Sequence, residues 1–361
     1  MERKNIYVLM LAAMLSCSDS VKVSRTLDEV PVIFPDYNGV VIPPNIAPLN
    51  FALNDQNAES RAVFSFEGLQ FEVIGKKGSF TIPSSKWKKL LESAAGKSIQ
   101  VTVRMKQGNE WVAYSPLTIQ IAPEKVDSYL AYRLIDPGYE LWNKMGIYQR
   151  NLESYTQTPI IENKMSGNNC VNCHSFCMQN PDKMLFHMRE TFPGTILVDG
   201  DKVEKLNTKT KETISSLVYP SWHPSGKYVA FSINTTKQAF HLNDKNRVEV
   251  YDEASDVVVY DVEKHEIVTA SNIFSKDAFE TFPTFSPDGK TLYFCTAEAR
   301  PIPQEYSEVK YNLCSVSFDP ATRAFGTQVD TLYNAKSGGM SASFPRVSPD
   351  GRYLLYTLSG Y

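Results

Sequence analysis

From residue 46 to 123 hydrophobic and polar positions alternate in short runs. Ile99-Gln100-Val101-Thr102-Val103 and Leu117-Thr118-Ile119-Gln120-Ile121 alternate cleanly, and Ala62-Val63-Phe64-Ser65-Phe66 does so in part. This is the period of a strand with one buried face. A single helix is predicted from Ser85 to Ala95, with serine at its start and Gly96 at its end. Several short strands in such a span predict a small β-sandwich, and no reactive side chains gather in it. The preceding block, residues 18–45, is rich in Pro, Asp and Asn, with Pro43-Pro44 near its end, and predicts a tether. Residues 124–190 form an aromatic connector carrying Tyr129, Tyr132, Tyr139, Trp142, Tyr148 and Tyr155, with a turn at Asp136-Pro137-Gly138.

Further along, the pattern repeats. Tyr219-Pro220-Ser221-Trp222-His223-Pro224-Ser225-Gly226 returns as Phe282-Pro283-Thr284-Phe285-Ser286-Pro287-Asp288-Gly289 and as Phe344-Pro345-Arg346-Val347-Ser348-Pro349-Asp350-Gly351. In each copy a strand enters a tight turn closed by glycine, and an alternating strand returns. Further strands follow, such as Val257-Val258-Val259-Tyr260-Asp261-Val262 and Leu313-Cys314-Ser315-Val316-Ser317-Phe318. Four strands per repeat is the blade of a β-propeller. The three blades near residues 219, 282 and 344 predict a mainly β chain ending in a partial, truncated propeller over 191–361, since a closed one needs at least about four blades.

The first residues carry a different signal. Arg3 and Lys4 precede an apolar run from Ile6 to Leu15, too short to span a bilayer and suited to an export signal. Leu15-Ser16-Cys17 resembles a bacterial lipobox, which makes Cys17 the lipidated residue and residues 1–17 the signal peptide. The expected location is the cell envelope, as a periplasmic or outer-membrane lipoprotein held to the membrane by its N-terminal lipid. The 37 Lys and Arg residues nearly balance the 40 Asp and Glu, a net charge of −3, and no basic run marks a nucleic-acid partner.

Cys170-Val171-Asn172-Cys173-His174 is the attachment signature of c-type haem. Two cysteines three positions apart each form a thioether to a haem vinyl group, and the adjacent His174 presents its imidazole to the iron as the proximal ligand. Three alternatives stay open: a zinc site using Cys177 as well, a redox-active Cys170–Cys173 pair, or two structural thiols. The motif supplies one axial ligand only. Candidates for the distal one are His187 and His223, the latter standing where the other repeats have Ser286 and Ser348, and more weakly Met184; an open, five-coordinate iron is a further case. His241 and His265 read as loop residues. Cys295 and Cys314 fall in neighbouring strands, either paired or as two packed thiols. No Gly-rich phosphate loop, Gly-x-Ser-x-Gly or His-Glu-x-x-His is present.

The region 46–123 resembles sandwiches of immunoglobulin or fibronectin type. The repeats resemble TolB-type, WD-like propeller blades, and the haem motif ahead of them resembles a group of Bacteroides-like lipoproteins combining a monohaem cytochrome with a propeller. That resemblance implies haem c and its iron as cofactor, and brings no substrate or catalytic residue. It implies electron transfer or redox sensing with a redox protein partner. Other readings are a propeller scaffold that binds a protein or glycan while haem is structural, and a peroxidase-like haem enzyme.

Overall fold

The computed structural model describes residues 21–135, 144–206, 208–211, 213, 215–243 and 248–360. Cys17, Tyr139 and Trp142, and the turn at Asp136-Pro137-Gly138, lie outside them. The chain is mainly β, with many small sheets, and it divides into two compact units. One comprises the residues up to Ala131 together with Gln149–Thr158, the other Tyr132–Tyr148 and everything from Pro159 onward.

In the first unit, alternation became burial. Strands Ser60–Phe66, Ser98–Gln107 and Leu117–Ile121 bury every second side chain, as a strand with one face on a core must. They belong to a seven-stranded sheet, while Ile33–Phe34, Phe51–Leu53 and Ser79–Phe80 form a three-stranded one. Both contribute to one apolar core containing Phe51, Phe64, Phe80, Ile99 and Val101. The helix, Ser84–Ser93, buries Trp87, Leu90 and Leu91 at helical spacing. Its N-cap is Pro83, with no side-chain cap bond, so the expected serine cap is absent.

The expected tether is also corrected. Val23–Thr26 pairs in parallel with Glu110–Ala113, and Val41–Ile42 with Leu117–Ile121. Isolated apolar residues such as Ile33 and Ile42 are buried, and strands two to four residues long leave too little periodicity to read.

The second unit is a series of antiparallel meanders. Sheet 1 contains Cys170–Phe176, Lys183–Arg189, Gly194–Asp199 and Lys202–Leu206 in that order. Sheet 2 contains Leu217–Trp222, Tyr228–Phe240, Val248–Asp261 and Glu266–Val268. Sheet 3 contains Ala278–Phe285, Thr291–Glu298, Asn312–Asp319 and Ala324–Tyr333, and sheet 4 the two strands Ser341–Val347 and Leu354–Ser359. Successive sheets pack face to face. Leu185 and Leu197 of sheet 1 meet Leu217 and Phe231 of sheet 2. Ala230 and Val259 of sheet 2 meet Phe285 and Phe294 of sheet 3, and Cys295 of sheet 3 meets Ala342 of sheet 4.

Two boundaries move as a result. A full sheet begins at Cys170, ahead of the first legible repeat, so Cys170–His174 lies inside the meander series rather than in a connector. The connector itself carries strands Met145–Asn151 and Gln157–Glu162. Ile147, Ile160 and Ile161 pack on the outer face of sheet 1, against Val171, Phe186 and Met188. Met145–Tyr148 buries four consecutive residues, so it shows no alternation to read.

Candidate functional site

The site is built on a backbone irregularity that recurs in all four sheets. In the first strand of sheet 2 the pairing slips between Val218 and Ser221, in sheet 3 between Thr281 and Thr284, and in sheet 4 between Ser343 and Arg346. Each slip accommodates an aromatic–proline pair, and Tyr219, Phe282 and Phe344 adopt φ of 50°, 52° and 51°. This is a β-bulge whose first residue is left-handed, a costly conformation for a side chain other than glycine. In sheet 1 the slip falls between Asn172 and Ser175, and Cys173 has φ 52°. Cys173-His174 therefore stands where the other sheets carry aromatic–proline.

The turns agree. Gly226, Gly289 and Gly351 donate to the carbonyls of His223, Ser286 and Ser348 at 2.8–2.9 Å, and Asn180 donates to Cys177 in the same way at 2.9 Å. Cys177 occupies the position of His223. A β-carbon added to Gly226 would touch the Cys177 sulfur, and one added to Gly289 would collide with the His223 ring. Both glycines are needed for this close approach as well as for their positive φ.

The bulge residues of sheets 2 to 4 gather their rings. Tyr219 and Phe282 lie 4.9 Å apart, Phe282 and Phe344 4.1 Å, and Tyr219 and Phe344 6.1 Å. Cys173 sits beside this group, with a backbone hydrogen bond from Tyr219.

Cys170 and Cys173 are both free thiols. Burial pushes both thiols above the ordinary range, and each is offset in part by Arg189 and Arg133. Cys170 is raised further by Cys173 itself, so the two sulfurs are near neighbours. Asn172 organises the turn, accepting from the Cys173 amide at 2.8 Å and from Arg133 at 2.7 Å. The two thiols thus stand near two guanidinium groups, with Glu190 also near Cys170. Sequence reasoning missed both arginines, since only the fold brings Arg133 to Asn172.

Cys177 points elsewhere, into the core between sheets 1 and 2. Among the described residues no three His, Cys, Asp or Glu side chains converge as a metal site, which removes the zinc set of Cys170, Cys173, Cys177 and His174. Cys295 and Cys314 do not pair. Cys295 stands opposite Leu313, and Cys314 opposite Phe294, so they occupy opposite faces of sheet 3 and enter different cores.

The distal-ligand candidates stand in different settings. Cys170, Asn172, His187 and Arg189 are cross-strand partners on the face toward sheet 2. His174 lies with Phe176, their rings 6.3 Å apart, and Phe176 packs on the other face, against the cluster of Met184 and Phe186. His187 stands opposite Asn172 of the cysteine-bearing strand, and its Nε2 is buried with no hydrogen-bond partner among the described residues. His187 is almost fully buried and bonds Thr195 through Nδ1 at 3.3 Å. Burial, with Arg189 beside it, lowers its pKa to about 4, so the ring is neutral.

His223 has both ring nitrogens engaged. Its Nδ1 accepts from the Ser225 amide at 3.1 Å and its Nε2 donates to the Gly289 carbonyl at 3.1 Å. Both nitrogens are used to staple sheet 2 to the turn of sheet 3, among the rings of Tyr228, Phe285 and Phe318. Met184 is a buried member of the apolar cluster on the outer face of sheet 1. His241 bonds Glu249, and His265 bonds Tyr260 and lies near Glu204, so both serve their loops.

No protein-family model matches the chain, and no curated protein matches it. Solved structures give distant likenesses. A puromycin-hydrolysing peptidase of Mycobacterium tuberculosis is 12% identical, with TM-score 0.35, over 73% of this chain and 42% of the peptidase. This chain thus spans less than half the length of that relative. An oligogalacturonate lyase of Vibrio parahaemolyticus is 10% identical, with TM-score 0.38, over 89% of this chain and 85% of the other. A DUF4784 family protein of Bacteroides caccae is 6% identical, with TM-score 0.29, over 90% and 94%.

Proposed function

We propose that this chain is an exported c-type haem protein that transfers or senses single electrons. Cys170 and Cys173 would carry the thioether bonds and His174 the proximal coordination. The observation that carries the reading is the substitution at the bulge. Three sheets put an aromatic ring and a proline at this strained position; the fourth keeps the strain and puts a thiol and an imidazole there. A left-handed residue other than glycine persists where the surroundings impose it, and such sites are favoured places for function.

The donor set fits the group. Two unpaired, neighbouring thiols and an imidazole come from five consecutive residues on a strand that pairs on one edge only. Arg133 and Arg189 stand beside both sulfurs, where guanidinium groups would pair with propionates. A bound haem supplies a one-electron iron couple, tuned by its axial ligands and by burial. The chain's own residues anchor it, exclude water on the buried side and set the local charge.

The setting we infer is a partial TolB-like β-propeller, with sheets 1 to 4 as blades, in a chain that also carries an immunoglobulin-like sandwich. Lipid on Cys17 would hold the protein in the cell envelope, where a redox protein partner would meet the haem. The test is a pyridine-haemochrome spectrum of protein made with a haem-attachment system. A thioether-linked haem that is lost on Cys170→Ala and Cys173→Ala is expected. Protein that takes up no covalent haem under those conditions overturns the reading.

A further inference from the structure

Sheets 2, 3 and 4 border a half-open cavity of about 480 Å³, within the usual range for small-molecule sites. Its lining has an unusual charge balance. Two carboxylates, Glu249 and Asp252, and four aromatic rings, Tyr251, Phe282, Tyr306 and Tyr311, line it, and the described lining residues include no Lys, Arg or His. Tyr251 and Tyr306 stack at 6.0 Å with planes 25° apart. Val248, Val250, Ile302 and Val309 add an apolar wall.

Glu249 is matched by His241 at 3.0 Å. Asp252 has no matching cation among the described residues. Its Oδ2 accepts from Asn234 Nδ2 at 2.8 Å, and burial raises its pKa to about 6. A desolvated carboxylate without a counter-charge is costly, and a cationic ligand would relieve that cost. Aromatic faces attract cations for an independent reason, the quadrupole of the ring. An anion is opposed by both features, and a neutral ligand draws nothing from the charge of Asp252.

We propose that this cavity binds a small organic cation, an ammonium or guanidinium group on an apolar body, with Asp252 as counter-ion and Tyr251, Tyr306 and Phe282 as the aromatic walls. The site is separate from the cysteines but shares one ring with their surroundings, since Phe282 also packs on Tyr219.

The test is calorimetric titration of the full chain with choline and with its neutral carbon isostere, 3,3-dimethyl-1-butanol, at a pH above the titration of Asp252. Choline is expected to bind at least about tenfold more tightly than the isostere. Asp252→Asn should remove most of that difference while leaving the isostere unchanged. Tyr306→Leu, at a partly exposed position, should weaken choline more than the isostere. Equal binding of the two probes, no binding of either, or choline affinity that survives Asp252→Asn overturns the proposal. If Asp252→Asn fails to fold, the comparison of the two probes on the unaltered chain decides alone, with Tyr306→Leu as the second arm. Preferential binding of neutral monosaccharides would also overturn it.

Discussion

Cys173 and Tyr219 occupy the same bulge position on successive sheets, at φ of 52° and 50°, and the Tyr219 backbone hydrogen-bonds the Cys173 sulfur. The thiol thus replaces an aromatic side chain at a position whose backbone is dictated by the sheet. Fold and chemistry separate here, because what the strand needs is the bulge and what a haem needs is the sulfur. Cys173→Phe should therefore retain a cooperative thermal transition within a few degrees of the parent while eliminating one thioether bond. A haemochrome band shifted to the single-thioether position, with unchanged far-UV circular dichroism, is the expected pair of results. Loss of folding would show that Cys173 is structurally required.

The two buried histidines should differ toward haem iron. His187 has a buried Nε2 with no hydrogen-bond partner among the described residues, whereas His223 has both nitrogens engaged. Haem-loaded His223→Ser should keep the spin state of the parent in its absorption spectrum, and a switch from low to high spin confined to His187→Gln would mark His187 as the distal ligand. A switch on His223→Ser would contradict its engagement between the two sheets. The stability effects should differ from the spectroscopic ones. His223→Ala removes a buried ring with its bonds to Ser225 and Gly289, and should cost about 1–3 kcal/mol. His223→Ser combined with Ser225→Asp recreates the Ser286–Asp288 turn, in which Oγ donates to the carboxylate at 2.5 Å, and should recover part of the loss.

How much of this was legible follows from particular residues. The three later bulges announce themselves through Pro220, Pro283 and Pro345, at spacings of 63 and 62 residues. The first is hidden because His174 replaces the proline and Asn180 the turn glycine, and because it lies only 46 residues before Pro220. The motif that looked like an insert ahead of the repeats is itself the degenerate first repeat. Ligand assignment was not legible at all. A bulge adds one residue to one strand, so counting along the sequence gives the wrong face for everything beyond it. Likewise Val23–Thr26 and Val41–Ile42 gain their order from parallel partners more than 70 residues away, Glu110–Ala113 and Leu117–Ile121, and a local pattern carries no record of those.

Cys295 and Cys314 should never form a disulfide without unfolding. They face different cores, and burial raises the pKa of Cys295 to about 12, which keeps it as an unreactive thiol. A thiol-specific reagent should label neither in the folded chain and both in denaturant. Intramolecular oxidation of this pair in the native protein would refute the register of sheet 3.

The last expectation concerns acid. Glu280 is buried, its Oε1 accepts from Ser275 at 3.2 Å, and its Oε2 has no hydrogen-bond partner among the described residues. Burial, with Asp256 beside it, raises its pKa from 4.5 to about 8, and burial raises Asp256 from 3.8 to about 6. A carboxyl whose folded pKa lies above its unfolded one binds its proton more tightly when folded. Its contribution is therefore greatest at low pH and is lost as the unfolded chain ionises while the folded group does not. For Glu280 stability should fall between about pH 4.5 and 8, by up to about 1.4 kcal/mol per pH unit, and level off above. Asp256 adds to the same slope below about pH 6. Glu280→Gln holds a neutral group of the same shape and should flatten the upper part of the curve, from about pH 6 to 8, while raising the melting temperature at pH 8. Melting curves of the two proteins across this range, collected by calorimetry, check the sign. His187, whose pKa is lowered to about 4, adds the opposite slope below about pH 6.5, so a Gln variant with the parent's slope between about pH 6.5 and 8 would show that Glu280 is ionised inside the folded protein.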